Sequence, residues 1–258
     1  AVGALTINAT GSGTIAIEQI GDGDPAAGVI GVTGIGNSNT TAIAFDGTQY
    51  TINGATTVTA ASGETIDFTG GGATTFTTSD DAITFTGGNI ELADAADLTI
   101  TSANGAVSVA GVMGTSSEDI TINAGTGTLA IGDIGTGDEI NTVVLTGATI
   151  TMSGDVTTSN AANNNVDING AVVISGNVDI DTDTAGTDGT IDFSSTIVGD
   201  GGDNDNLTID TGGSSVTFNG TIGVASPLNN FSVNQDGGTV ALTLPQVGTA
   251  AGSAGTSG

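Results

Sequence analysis

The residues best suited to chemistry in this chain are aspartates set in glycine-rich turns. In Asp181-Thr182-Asp183-Thr184-Ala185-Gly186, followed by Asp188 and Asp192, oxygen ligands fall at alternate positions and glycine at the sixth, the spacing with which a loop wraps calcium. Position five is Ala185, and position twelve is Asp192 where such loops use a bidentate glutamate, so the segment fails as a helix-flanked calcium loop and is left as a looser oxygen cage.

A second turn, Gly199 to Leu207, carries Asp200, Asp203 and Asp205 and follows in part the nonapeptide calcium pattern of secreted β-rolls. Its third glycine and its ligand aspartate are out of register, and it occurs once, so a solvated turn is the simpler reading. A third pair, Asp97 and Asp119, precedes equivalent strands. Stacked coils would hold these two about 4.8 Å apart, where carboxylates must share a proton, face water or bind a cation. These nine aspartates are the metal candidates, and calcium is the cofactor they suggest. Asp22 and Asp24, ahead of Pro25, read as turn residues.

The chain of 258 residues has no Lys, Arg, His, Cys or Trp against 28 Asp and Glu, a formal charge of -28 without internal cationic partners. Nucleic acid and anionic membranes would be repelled, because affinity for both rests on Lys and Arg. Nucleophile-base pairs built on His or Lys cannot be assembled. Hydrolysis by paired carboxylates is the main enzymatic option left. Enzymes of that kind also need aromatic platforms or cationic groups to hold a sugar acid, and here there is Tyr50 with a few phenylalanines, so the chain reads as non-enzymatic. Without cysteine there is neither a disulfide framework nor a thiolate metal site. No run of 18 apolar residues suggests a membrane span. Neither a basic nor an apolar leader segment opens the chain, so an exported protein would have lost its signal.

Internal repeats organise the sequence. One unit is Leu98-Thr99-Ile100, a turn, Val107-Ser108-Val109, then Val112-Met113-Gly114. It recurs as Ile120-Thr121-Ile122, Leu129-Ala130-Ile131, Ile134-Gly135, and further copies start at Leu207, at Leu5 and, more loosely, at Val178. Apolar residues alternate with Thr, Ser, Ala or Asp, the period of a strand with one buried face. The strand starts Leu98, Ile120, Val143 and Val166 are 22, 23 and 23 residues apart. Earlier, Ile43 to Ile66, Ile52 to Phe76 and Ile66 to Ile90 give 23, 24 and 24. Three short strands per coil of about 23 residues predict an all-β, parallel β-solenoid rather than the competing immunoglobulin-like sandwich. The residues just before the strands, Asp97, Asp119, Thr142 and Asn165, then Asn177, Asn206 and Asn230, predict a corner column with stacked amides. Threonine pairs such as those around Phe76 do not recur at the coil period, which argues against a flat ice-binding face. The domain reading is a less regular solenoid over 1–92, solenoid repeats over 93–247 and a flexible tail over 248–258.

The string LTIDTGGSSVTFNGTIGVASPLNNFSVN, Leu207 to Asn234, resembles the degenerate repeats of giant bacterial surface proteins of the filamentous-haemagglutinin and autotransporter-adhesin type, as does Gly189 to Ile209. The resemblance implies a parallel β-helix, secretion, and a role in adhesion or cell-surface architecture. The expected function is an extracellular stalk, sheath or filament. The alternative is an adhesin binding a host or neighbouring-cell ligand, followed by a surface-layer subunit or a polysaccharide-active enzyme. The expected partner is the protein itself, head to tail, or further coils of a longer chain.

Overall fold

The computed structural model describes residues 4–9, 13–21, 31, 34–115, 117–159, 164–183, 188–202, 204–235 and 242–248. They form an all-β parallel solenoid of about 9 turns with about 24 residues per turn. Every strand pairing among them is parallel, and each joins one coil to the next. No helix among the described residues is long and apolar enough to cross a membrane.

Three columns of strands make three faces, here called A, B and C in the order the chain visits them. Face A climbs through Ile43, Ile66, Ile90, Val112, Ile134 and Val156, each paired with the next. All six are buried. Face B climbs through Leu98, Ile120, Val143, Val166, Ile191 and Val216. Face C climbs through Val107, Leu129, Ile150, Val172 and Ile197. β-Branched residues dominate these interior stacks because a pleated, two-neighbour environment suits their stiff χ1. Long strands simply turn a corner. The first half of Ala42–Ile52 pairs with Thr65–Phe68 and its second half with Thr74–Thr78.

Aromatic residues also stack on their own kind. Phe45 lies on Phe68 with ring centroids 4.8 Å apart, and Phe193 on Phe218 at 5.4 Å. Tyr50 is fully buried; its hydroxyl donates to the Ile17 carbonyl and accepts the Gly47 N–H. The sole tyrosine is thus a core residue, not a sugar platform. Buried hydroxyls staple the B-to-C corner: Thr78 Oγ1 and Ser102 Oγ, stacked in register, both donate to the Asp81 carbonyl.

The repeat is in phase over the units starting at Leu98 and Ile120, but not throughout. Leu98-Thr99-Ile100 belongs to face B, whereas the look-alike Leu207-Thr208-Ile209 pairs with Val178-Asp179-Ile180 on face A, and Thr6-Ile7 pairs with Gly34-Ile35 on face C. Each face buries the same alternation, so a unit slipped by one face looks identical in sequence. The expected corner column divides for the same reason. Asp97, Asp119, Thr142 and Asn165 mark the corner entering face B, and Asn177, Asn206 and Asn230 the corner entering face A. Phe76 sits over Tyr50, not Ile52, which pairs with Thr78. A slip of two keeps the same residues inward, so alternation alone could not detect it. Threonines do recur at the coil period: Thr75, Thr99 and Thr121 are stacked, as are Thr77 and Thr101. The rank then passes through Val144 to Asp167.

The turn from face B to face C depends on glycine. A Cβ added to Gly127 would lie 2.4 Å from the Gly105 carbonyl oxygen, and one on Gly170 would lie 1.9 Å from that of Gly147. Backbones therefore touch along this corner. Gly34, with nothing within 4 Å of such an added Cβ, is the control. Gly170→Ala should lower stability by about 1 to 3 kcal/mol, whereas Gly34→Ala should change it by less than about 0.5 kcal/mol, read from urea denaturation midpoints.

Candidate functional site

Carboxylates are distributed along two corners and on faces A and B. At the corner entering face B, the Asp119 N–H donates to Asp97 Oδ1 at 3.0 Å, and the Thr142 N–H donates to Asp119 Oδ1 at 3.1 Å. Asn141 Nδ2 adds a third bond to Asp119. Two coils on, Asn165 Oδ1 accepts both the N–H and the hydroxyl of Thr190. Asp97, Asp119 and Asn165 thus each cap a backbone donor of the coil above. Asp97 and Asp119 do lie one coil apart, as expected, and their charge meets oriented peptide dipoles.

The amide ladder at the other corner runs from Asn206 Nδ2 to Asn177 Oδ1, then from Asn229 Nδ2 to Asn206 Oδ1. Asn229, not Asn230, makes the upper bond, although Asn230 holds the paired backbone position.

The loop aspartates are only partly brought together. Asp181 Oδ1 accepts the Asp183 N–H, and Asp188 Oδ2 accepts the Gly213 N–H. Both Asp183 and Asp188 converge on Gly212, where an added Cβ would meet their carboxyl carbons at 2.7 and 2.8 Å. Desolvation first, and then the Asp188 charge, push the Asp183 carboxyl above the usual aspartate range. Asp192 points outward on face B, accepts from Asn219 Nδ2 and stacks on Asp167. Ala185 and Gly186 lie outside the described residues.

In the second turn, Asp200 accepts the Ser175 hydroxyl and the Gly202 N–H. Asp205 is buried, with the Gly176 and Gly201 N–H groups each 3.3 Å from its oxygens. Asp203, Asp22 and Asp24 lie outside the described residues. Among the described residues, no three acidic groups are arranged to hold a metal ion.

Two carboxylate features were not anticipated. Asp133, Asp155 and Asp179 form a column on face A in which each N–H donates to the carboxylate one coil earlier, Asp155 to Asp133 and Asp179 to Asp155. Desolvation, then the Asp155, Asp181 and Asp210 charges, raise the Asp179 carboxyl. Glu91, stacked on Asp67, is raised by desolvation and then by that neighbour. The alternation marked all of these as outward residues, and only correct phasing stacks them.

Glu118 is the second feature. It is wholly buried and accepts from the N–H and hydroxyl of both Thr115 and Ser117, and from the Ala95 N–H one coil below. Burial pushes its carboxyl up, but the Thr115 N–H and hydroxyl, the Ser117 hydroxyl and the Ala95 N–H outweigh it and hold it at about 2. Ala95 is the one described non-glycine residue with positive φ, at 62°, so Glu118 ties down a strained corner. The only sequence cue is a run of three hydroxyl residues, Thr115 to Ser117, ahead of an acid.

These shifts give a pH profile of defined sign. Glu118, lowered in the folded state, contributes stability that is complete above pH 4.5 and lost as pH falls toward about 2. Glu91, Asp167, Asp179 and Asp183, all raised, act oppositely: the folded state takes up protons before the unfolded chain does, and stability grows as pH falls from neutrality. The melting temperature should rise as pH falls from 7 while the raised carboxyls take up protons, and then fall below pH 4.5 as the Glu118 contribution is lost. Glu118→Gln should cost about 2 to 3 kcal/mol at pH 7 and flatten the acid limb, followed by circular dichroism.

A cleft of about 460 Å³ opens at the first coil, lined by Leu5, Ile7, Ile17 and Ile20 among others. It exposes the edge of the apolar interior. No family model, curated protein or solved structure matches this chain.

Proposed function

We propose that the chain is a structural segment, a stiff rod that extends or spaces an extracellular or cell-surface assembly. The observation that carries this reading is the parallel ladder over about 9 turns, with the buried apolar residues forming one continuous interior. At about 4.8 Å per coil the rod is roughly 45 Å long. Among the described residues, Thr14–Ile20 pairs only with the coil above it, along face A and into face B, and Asn230–Asn234 only with the coil below, on face A. Their outer edges present matched parallel backbone groups, and inward residues at both ends keep the same alternation. Coils of a longer chain or of a second copy would extend the ladder without changing its geometry. The absence of Lys and Arg removes every trypsin site, which suits an exposed location. The resemblance to bacterial surface-protein repeats points the same way.

Adhesion to a host or neighbouring-cell ligand is the second reading, and it rests on that resemblance. Divalent cations, calcium foremost, serve in this proposal as diffuse counter-ions along the Asp133, Asp155 and Asp179 column rather than in a caged site. A melting temperature equal in calcium and in chelator overturns that part.

Negative-stain microscopy of the purified chain tests the main reading. Straight particles of constant width, roughly 45 Å long or longer where ends join, are expected. Flexible or globular particles would overturn it.

A further inference from the structure

Charge is not shared equally among the three faces. Face A carries the Asp133, Asp155 and Asp179 column together with the pairs Asp67–Glu91 and Asp181–Asp210. Face B carries Asp167 stacked on Asp192. The outward rank of face C runs Thr57, Thr84, Ser108, Ala130, Thr151 and Val173, each in register with the next, and continues to Val198. No acidic residue interrupts that rank. The acids nearest it along the chain are Asp81, at the corner where face C begins, and Asp133 and Asp200, just past where it ends. In a chain with 28 acidic residues, this rank is uncharged over seven coils of the described residues.

We infer that face C is where a second copy of this chain packs side by side. Charge decides the occupant. Two copies meeting through face A would bring columns of carboxylates, and through face B the Asp167–Asp192 pairs, within a Debye length of about 8 to 10 Å with no cation to offset them. Only face C lets two such rods touch flat. Its outward residues are small, so two sheets can approach to the usual spacing of about 10 Å. The side chains of Thr57, Thr84, Ser108 and Thr151 make no hydrogen bond within the described residues, which leaves four hydroxyls for a partner. Two copies of one ladder share the same repeat, so a two-fold axis at the middle of the face sets every rank against an equivalent one. Seven coils, about 4.8 Å apart and roughly 15 Å wide, offer about 500 Å² on each copy, at the lower limit for a specific interface. The result is a weak, reversible dimer that tightens with salt as the repulsion of the remaining charges is screened. Nothing in this pairing depends on the end-to-end reading above.

The test uses the full chain, which has no cysteine of its own. Ala130→Cys places one thiol near the centre of face C, and Thr121→Cys places one outward on face B. With a short bis-maleimide, Ala130→Cys should give several-fold more covalent dimer than Thr121→Cys. Sedimentation equilibrium of the unmodified chain should show dimerisation about tenfold tighter at high salt than at low salt. The double variant Thr84→Asp, Thr151→Asp should stay monomeric with an unchanged circular dichroism spectrum. Equal crosslinking of the two cysteine variants, or a chain that is monomeric at high salt, overturns the inference. Dimers that crosslink through Thr121→Cys alone assign the contact to face B and overturn it equally.

Discussion

Parallel pairing in register places each paired strand residue of this molecule about 4.8 Å from its counterpart in the next coil. The rest of the structure follows from whether a residue gains or loses by meeting its own kind at that distance. Isoleucine and valine gain, because a methyl-rich column excludes water along its whole length. Phenylalanine gains by stacking, as Phe45 on Phe68 and Phe193 on Phe218 show. Asparagine gains because an amide both donates and accepts, which is how Asn177 and Asn206 join. Aspartate loses, and this chain holds 28 acids with no cation to separate them.

The molecule meets that cost with its own backbone. An aspartate placed just before a strand reaches up to the free N–H at the corner of the next coil, as Asp97 does for Asp119 and Asp119 for Thr142. A carboxylate that would repel its neighbour thereby becomes that neighbour's cap. Glu118 carries the device furthest, wholly buried with five donors around one carboxylate. Where the donors are fewer, as at Asp179 and Glu91, the proton is held more tightly instead. Acidic residues are therefore tolerated in proportion to the N–H groups they can reach, not by exposure to water alone.

Much of this was legible in the sequence, and the limit is definite. The strand starts Leu98, Ile120, Val143 and Val166 gave both period and register, because a single face repeats them without insertion. The phase failed at Leu207 and Leu5, because three faces that bury the same alternation are interchangeable on paper. The same ambiguity reaches the site: on alternation alone Asn177 and Asn206 fall at the corner of Asp97, and the stacking of Asp133, Asp155 and Asp179 does not show. Glu118 was invisible for another reason, since its partners come from a neighbouring coil and from local hydroxyls without a periodic signature. The touching backbones at Gly127 and Gly170 show no pattern that separates them from ordinary turn glycines.

Once phase is known, three similar-looking strands become three different surfaces. In face A the outward positions hold acids, in face B threonine giving way to aspartate, and in face C uncharged small residues throughout the central coils. A solenoid that needed only to fold would have no reason to keep them apart, because each face buries the same inward set and the interior does not sense which side bears the charge. Each coil interacts chiefly with its two neighbours, so stability is accumulated locally and outward positions are nearly free to vary. Segregation of charge along seven successive coils of face C, Thr57 to Val198, is therefore a property of the surface rather than of the fold, and its physical consequence is felt where the rod meets something outside itself.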